Sequence, residues 1–294
     1  TPPSCADADG SPDGETGNAE APAQLVGKPL NEAAVWQRAL IMAAGAFMNF
    51  LLGFVVMVVL IAAQSEPITS RVIYAIDDGA LCGQTGLEAG DQVLAVNGRR
   101  CFVANDMLYE LMRTEDYSAR FTVLRGGEKV ELPCVRFDTW QDDSGETHMS
   151  LGFTVYGIRK TPANVVKEAW NSVLYYGRII FTSLMDLLRG RESINDLSGP
   201  VGIVTAIGQA ASYGWQDLLQ LLVLITVNLG IFNLLPFPAL DGGKVVFLLI
   251  EGITGHAVPE KIQSGLTLAA FALLFGLMLF ATYNDIVRLI TGAV

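Results

Sequence analysis

Apolar positions run without a single Asp, Glu, Lys or Arg through three long windows, 39–65, 218–240 and 262–284. A bilayer core of about 30 Å is crossed by about 20 apolar helical residues. The first and third windows therefore predict membrane-spanning helices. A soluble core helix explains one such window, whereas three in 294 residues predict a polytopic membrane protein. The second window is interrupted. It contains Asn228 and Asn233 and closes on Pro236, Phe237, Pro238, Ala239, Leu240 and Asp241. Each proline lacks an N–H and drives the preceding residue out of helical geometry, so this span is expected to break at Pro236 and Pro238.

Between the first and second windows the pattern changes to short alternating runs. Strands are predicted at 71–76, 92–96 and 150–155. A hairpin is predicted from 121–124 and 130–135 about Gly126-Gly127. Asn97-Gly98 is a type I′ turn signal. Met107, Leu108, Leu111 and Met112 have helical spacing, which predicts a helix over 104–114. Further on, Val166, Trp170, Val173, Ile180, Leu184 and Leu187 recur at helical steps within 161–191, predicting an amphipathic helix with those residues on one face. With Trp170, Tyr175 and Tyr176 it suits the headgroup zone, as an interfacial helix. A helix packed on the outer domain or on a span has the same pattern.

Composition sharpens this picture. The chain is 51% apolar and 17% charged, with a net charge of −11. It offers no basic face for a polyanion, so nucleic acid is excluded as a partner. Residues 1–38 hold six acids and two bases, 64–155 fifteen and eight, and 156–294 nine of each. Lys28 and Arg38 precede the first span, and Lys244 and Lys261 separate the second from the third. The positive-inside rule then places residues 64–217 on the outer face. Residues 1–24 are rich in Pro, Gly, Ala and acids, which predicts disorder. Such a stretch directly before a span reads as a loop cut open, with the true N-terminus missing. Of the four cysteines, Cys82, Cys101 and Cys134 fall in the outer region and Cys5 precedes the first span. One disulfide or three free thiols both fit.

The run Gly86-Leu87-Glu88-Ala89-Gly90-Asp91-Gln92-Val93-Leu94-Ala95-Val96-Asn97-Gly98 resembles the core of PDZ domains. In those domains a peptide adds as a strand at a sheet edge and its carboxylate enters a loop of backbone N–H groups. Ser150-Leu151-Gly152-Phe153 resembles that loop and comes late in the domain, as in the circularly permuted PDZ domains of bacterial membrane proteases. A groove that takes a peptide C-terminus and a domain that only packs on its neighbour are both open.

A carboxylate behind a broken span is a functional-site candidate. Asp241 could ligate zinc or another hard or borderline cation, or it could be the N-cap of a helix over 244–251 in the headgroup region. The surrounding residues resemble a known motif. Asn233-Leu234-Leu235-Pro236-Phe237-Pro238-Ala239-Leu240-Asp241-Gly242 matches the N-x-x-P-x-P-x-L-D-G motif of site-2 proteases, which are intramembrane zinc metalloproteases. The bacterial regulator of sigma-E protease (RseP) branch fits best. Ser198-Gly199-Pro200-Val201-Gly202-Ile203 resembles its S-G-P segment. Gln37-Arg38, with Ala44-Gly45 and Asn49-Phe50, resembles the start of its second span, although Ala44-Gly45-Ala46 stands where the family usually has Gly-Pro.

The resemblance implies a mixed α+β architecture. It is a polytopic helical membrane protein with three spans, one of them broken, and an inserted permuted PDZ β-domain. The expected units are an acidic cytoplasmic loop (1–35), a span (36–65), the PDZ domain (66–158), an amphipathic helix and linker (159–197), a helix and the broken span (198–255), and a loop with the last span (256–294). It implies that Asp241 is the third zinc ligand and that Asn233, Pro236, Pro238 and Gly242 shape the active site. The implied substrate is a single-span membrane protein, such as an anti-sigma factor, in the bacterial inner membrane, with the PDZ domain outside. The other two ligands and the general base belong to an H-E-x-x-H helix. That motif is absent here, and the only histidines are His148 and His256. The 294 residues alone are therefore expected to be inactive. The alternative is a non-catalytic membrane PDZ adaptor of the same descent. A transporter built on the broken helix lacks the internal repeat expected of one.

Overall fold

The computed structural model describes residues 33–114, 116–142, 145–191 and 198–291. The disordered loop predicted for 1–24, together with Cys5 and Lys28, lies outside them. In chain order the elements are α1 (Val35–Ala63), β1 (Ile68–Ile76), α2 (Leu81–Gln84), β2 (Gln92–Val96), β3 (Arg99–Arg100), α3 (Ala104–Met112), β4 (Ser118–Arg125), β5 (Glu128–Arg136), β6 (Asp138–Gln141), β7 (Thr147–Ser150), β8 (Phe153–Ile158), α4 (Pro162–Leu188), α5 (Pro200–Tyr213), α6 (Trp215–Leu234), α7 (Asp241–Thr254) and α8 (Glu260–Thr291). Three of these helices, α1, α6 and α8, are long and apolar enough to cross a membrane.

The β-rich region between α1 and α4 is one sheet in the order β5-β4-β2-β1-β8, with β3 paired to β2 and a separate β6-β7 hairpin. Asn97 and Gly98 both have positive φ, as the type I′ turn between β2 and β3 requires. The core closes over Ile73, Leu87, Val93, Val96, Leu111, Phe121, Val123 and Val135. Asp91 is buried within it. Its carboxylate takes Arg125 Nε at 2.7 Å and Nη2 at 2.8 Å, and accepts the Glu88 N–H at 3.0 Å. Cys82, Cys101 and Cys134 are free thiols.

Two local expectations are corrected. The single strand at 150–155 is two strands, β7 and β8, because Gly152 between them has φ +62° and a Cβ there would meet the Ala80 Cβ at 2.8 Å. In α4 the buried stripe is Val165, Ala169, Val173, Tyr176 and Ile180, while Val166 and Trp170 are exposed. Both stripes are apolar, and periodicity alone could not choose between them. The buried stripe packs on α1 and α6, in a cluster with Met57, Leu60, Val223 and Val227.

Helix α6 runs antiparallel to α1. Gly53 sits against Val227, and Gly230 against the Phe50 ring. Such small residues let two helices approach closely in lipid. Beyond the break, α7 continues the same track toward the start of α1. There Arg38 pairs with Glu251, and Gly252 faces Val35.

Candidate functional site

The site forms where the antiparallel track is interrupted. Helix α6 stops at Leu234, and Leu235 is extended at φ −62°, ψ 142°, the geometry that a following proline imposes. The chain then folds back on itself. Phe237 N–H donates to the Leu235 carbonyl at 2.7 Å, and Leu240 N–H donates to the Phe237 carbonyl at 2.9 Å across a turn with Pro238 at its second position. Helix α7 starts at once, with Gly243 N–H and Lys244 N–H both donating to the Leu240 carbonyl. Two glycines make this fold-back possible. A Cβ on Gly242 would overlap the Leu235 carbonyl oxygen and lie 2.6 Å from the Leu234 carbonyl carbon. One on Gly243 would overlap the Phe237 carbonyl oxygen and lie 2.6 Å from the Pro238 Cα.

Asp241 is the first residue of α7, with Leu240 as N-cap. Of the two alternatives for Asp241, the N-cap one, with a helix over 244–251, is therefore corrected: the helix begins three residues earlier, because the turn at Leu240 already accepts its first bonds. An acidic residue in the first turn complements the helix dipole. The Asp241 carboxylate is partly exposed. Lys244 Nζ lies 3.3 Å from Oδ1, and Oδ2 points toward Gly45 of α1, 3.7 Å from where a Cβ on Gly45 would stand. Asn233 is half-buried in the last turn of α6. The break thus brings Asn233, Pro236, Pro238, Asp241 and Gly242 together beside α1.

Neither histidine joins them. His148 is on β7, with Nε2 3.0 Å from Asp142 Oδ2. His256 lies beyond the far end of α7, roughly 20 Å along the helix from Asp241, with Nδ1 2.9 Å from the Thr254 carbonyl. A catalytic zinc takes about three protein ligands. Among the described residues the break offers it one, the Asp241 carboxylate, with no imidazole or thiolate beside it. The residues present fit one corner of a zinc site and no more.

The loop-like segment Ser150–Phe153 sits elsewhere, joining the β6-β7 hairpin to the terminal strand β8. The Gly152 carbonyl accepts Asp77 N–H at 2.9 Å and the Cys82 thiol at 3.5 Å. Phe153 opens β8, the terminal strand of the sheet.

Two features escaped sequence reading. The first is Asp285 on α8, only 5% exposed. Its two oxygens accept the N–H groups of Gly199 at 3.2 Å and Gly202 at 2.7 Å, so the S-G-P segment is a socket for this carboxylate. The charge-free window ended one residue before Asp285, which hid it. The second is an ionic seam between α3 and α4. Arg178 reaches Asp106 and the Arg100 carbonyl, Arg113 binds Asp186 at 2.5 Å, and Arg99 and Arg178 each lie 3.7 Å from Glu110. Burial pushes the Glu110 carboxyl up against the pull of those arginines. It also pushes the Cys101 thiol up to about 12 and the Glu168 carboxyl up to about 6.

Comparison with known proteins agrees with the motif at the break. A family model described as Peptidase family M50 matches residues 8–277. The chain is 32% identical over 255 residues to the regulator of sigma-W protease RasP of Bacillus subtilis, covering 87% of this chain and 60% of that protein. It is 33% identical over 251 residues to the zinc metalloprotease RasP of Geobacillus kaustophilus, covering 85% and 59%. The RasP of Bacillus licheniformis is 32% identical over 256 residues, covering 87% and 60%. The chain thus spans about three-fifths of the length of these relatives.

Proposed function

Because the chain belongs to peptidase family M50, the site-2 proteases, we propose that it is the part of an intramembrane zinc endopeptidase that supplies the third metal ligand, Asp241. The single observation that carries this reading is the fold-back at 235–240. It presents one carboxylate at the head of a helix, at a backbone break in a membrane-spanning segment. Irregular backbone at that depth is tolerated only where protein buries it or it lines a polar cavity.

The two histidines and the general base lie outside these 294 residues, in an H-E-x-x-H segment. Bound zinc would supply an activated water and polarise the scissile carbonyl. What this chain's own residues do is hold the Asp241 oxygen toward α1 and keep the backbone of 235–240 open beside it. Asn233, Pro236, Pro238 and Gly242 shape that opening. The substrate class is a single-span membrane protein. The name of the Bacillus subtilis relative, a regulator of a sigma factor, supports an anti-sigma factor. We place the protein in the bacterial inner membrane with residues 66–158 outside, as a permuted PDZ domain. The terminal strand β8 has the position of a strand that can accept a peptide edge to edge, with Ser150, Leu151, Gly152 and Phe153 receiving its carboxylate.

The test is cleavage of a labelled single-span reporter, alongside zinc content, in the protein as its gene encodes it. Asp241→Asn is expected to lose at least about a hundredfold in cleavage and most of the zinc, by analogy with losses for residues that only support a ligand. Cleavage and zinc content unchanged in Asp241→Asn would defeat the assignment. One observation favours the non-catalytic adaptor instead: neither histidine of this sequence lies near Asp241. A wild-type protein that binds the reporter, holds no zinc and never cuts would establish that alternative.

A further inference from the structure

Breaking a span leaves backbone carbonyls without their helical partners, and at membrane depth protein must satisfy them. Inside the fold-back the accounts are local. The Leu235, Phe237 and Leu240 carbonyls accept N–H groups from within 237–244. The Pro238 carbonyl is served from another element, α8, by the Thr267 hydroxyl at 3.2 Å.

That bond is unusual for a helical threonine in this protein. Thr205, Thr226, Thr254, Thr282 and Thr291 each donate to the carbonyl four residues back in their own helix. This is the ordinary resting place of a helical hydroxyl in an apolar setting. Thr267 instead donates outward, to a residue 29 positions earlier. Its acceptor is well placed to matter. The Pro238 Cα lies against the Gly243 backbone with no room for a Cβ, and Gly243 is in the first turn of α7, two residues after Asp241. A pull on the Pro238 carbonyl is thus transmitted through a close backbone contact to the turn that aims the Asp241 carboxylate.

We infer that Thr267 is a positioning residue, whose hydroxyl holds the fold-back against α8 and so sets the direction of Asp241. The role for Asp241 rests on the function proposed above, whereas the bond itself does not, and the experiment separates the two. In the full chain, reconstituted in phosphatidylcholine vesicles, Ala239→Cys reports how open the fold-back is through its labelling rate by N-ethylmaleimide, read at that residue by peptide mass spectrometry. Thr267→Val removes the hydroxyl at nearly constant shape and is expected to raise that rate at least threefold. Thr267→Ser keeps the donor and is expected to stay within twofold of the parent. Thr282→Val removes a hydroxyl bonded only to its own helix and is expected to change nothing. Equal rates in Thr267→Val and the parent, or an equal rise in Thr282→Val, would overturn the inference. Should Thr267→Val not accumulate in the membrane, failure of Thr267→Ser to match the parent would overturn it instead.

The second arm measures reporter cleavage by the same variants in the protein as its gene encodes it, which includes the segment that supplies the other zinc ligands. Thr267→Val is expected to lower kcat about tenfold with KM unchanged, and Thr267→Ser to restore it. A labelling change with no cleavage by any variant, the parent included, would leave the tether standing and remove the protease reading. A labelling change with an unaltered kcat in an active enzyme would show that Thr267 does not aim Asp241.

Discussion

The β-sheet region and the membrane helices bury different things. In the sheet region large apolar side chains such as Ile73, Phe121 and Val123 are wholly enclosed, and the buried carboxylate of Asp91 is answered by a guanidinium. In α8 the buried residues are Ala270, Ala281 and Asp285, while Leu268, Leu273 and Phe275 face outward. There the buried carboxylate is answered by backbone N–H groups. The difference follows from the solvent. Water drives the apolar side chains of the sheet inward, but lipid gives them no reason to leave the surface, so helix contacts are left to small residues and to polar groups with defined partners. In one region the fold is held by how much apolar surface is hidden, in the other by how closely backbones approach.

The largest test of that contrast is steric. Gly243→Ala puts a Cβ into the backbone of 237–238, where nothing flexible can yield. The expected loss is upward of about 3 kcal/mol, read as failure to accumulate or as a lowered unfolding midpoint in detergent. The same Gly→Ala change at Gly265 of α8, where a Cβ meets nothing within 4 Å, should be tolerated. A comparable loss at both positions would refute the close-approach account. Next in size is Arg125→Met, which leaves Asp91 buried with only the Glu88 N–H. Breaking a buried pair in this way costs about 3 kcal/mol. It should appear as faster hydrogen exchange in β2 and β4, with α6 and α7 unchanged. Exchange rising equally in both regions would show that they do not fold as separately as their cores suggest.

The smallest effect concerns the seam between the two regions. Glu168 lines a cavity of about 140 Å³ between α4, the end of α1 and the start of β1, and another of about 120 Å³ between α4 and β1. Burial raises its carboxyl from 4.5 to about 6, Arg71 and Lys167 oppose the rise, and Asp106 adds to it. A carboxyl raised on folding favours the folded state while it is protonated. Its contribution is complete below pH 4.5 and is lost as the pH rises through about 6. Glu168→Gln, neutral throughout, should therefore stabilise the chain by about 1–2 kcal/mol at pH 8 and leave it unchanged at pH 4. Melting curves at the two pH values check this, and equal effects at both would show that charge burial is not the cause.

What could be read in advance divides along the same line. The break in the second window was visible because proline acts on its own backbone, and the Asn97-Gly98 turn was visible for the same reason. The hairpin of β6 and β7 leaves no such trace, because residues 138–150 carry little apolar alternation, and its stop at Gly152 depends on contact with Ala80, far away in the chain. The buried face of α4 is not decided by its own sequence, because Val165 and Val166 are adjacent and both apolar, and only the neighbours α1 and α6 decide which one turns inward. At the break, Asp241 and its prolines stand out in the sequence as a motif. The partners Gly45 and Thr267 carry no local signal, since a glycine and a threonine in an apolar helix look ordinary until the opposing backbone is in place.

The reach of α8 bears on the order in which the protein is made. Asp285 serves N–H groups 86 and 83 residues earlier, and Thr267 serves a carbonyl 29 residues earlier. While the ribosome is still translating the segment before α8, both α5 and the fold-back are already synthesised, and their donors and acceptor have no intended partner. They must wait in water, at the insertion machinery or in makeshift bonds until the helix that completes them arrives. Insertion of α8 is therefore the step that completes these bonds, and a nascent chain stalled before it leaves the Gly199 and Gly202 N–H groups and the Pro238 carbonyl without the partners that α8 supplies.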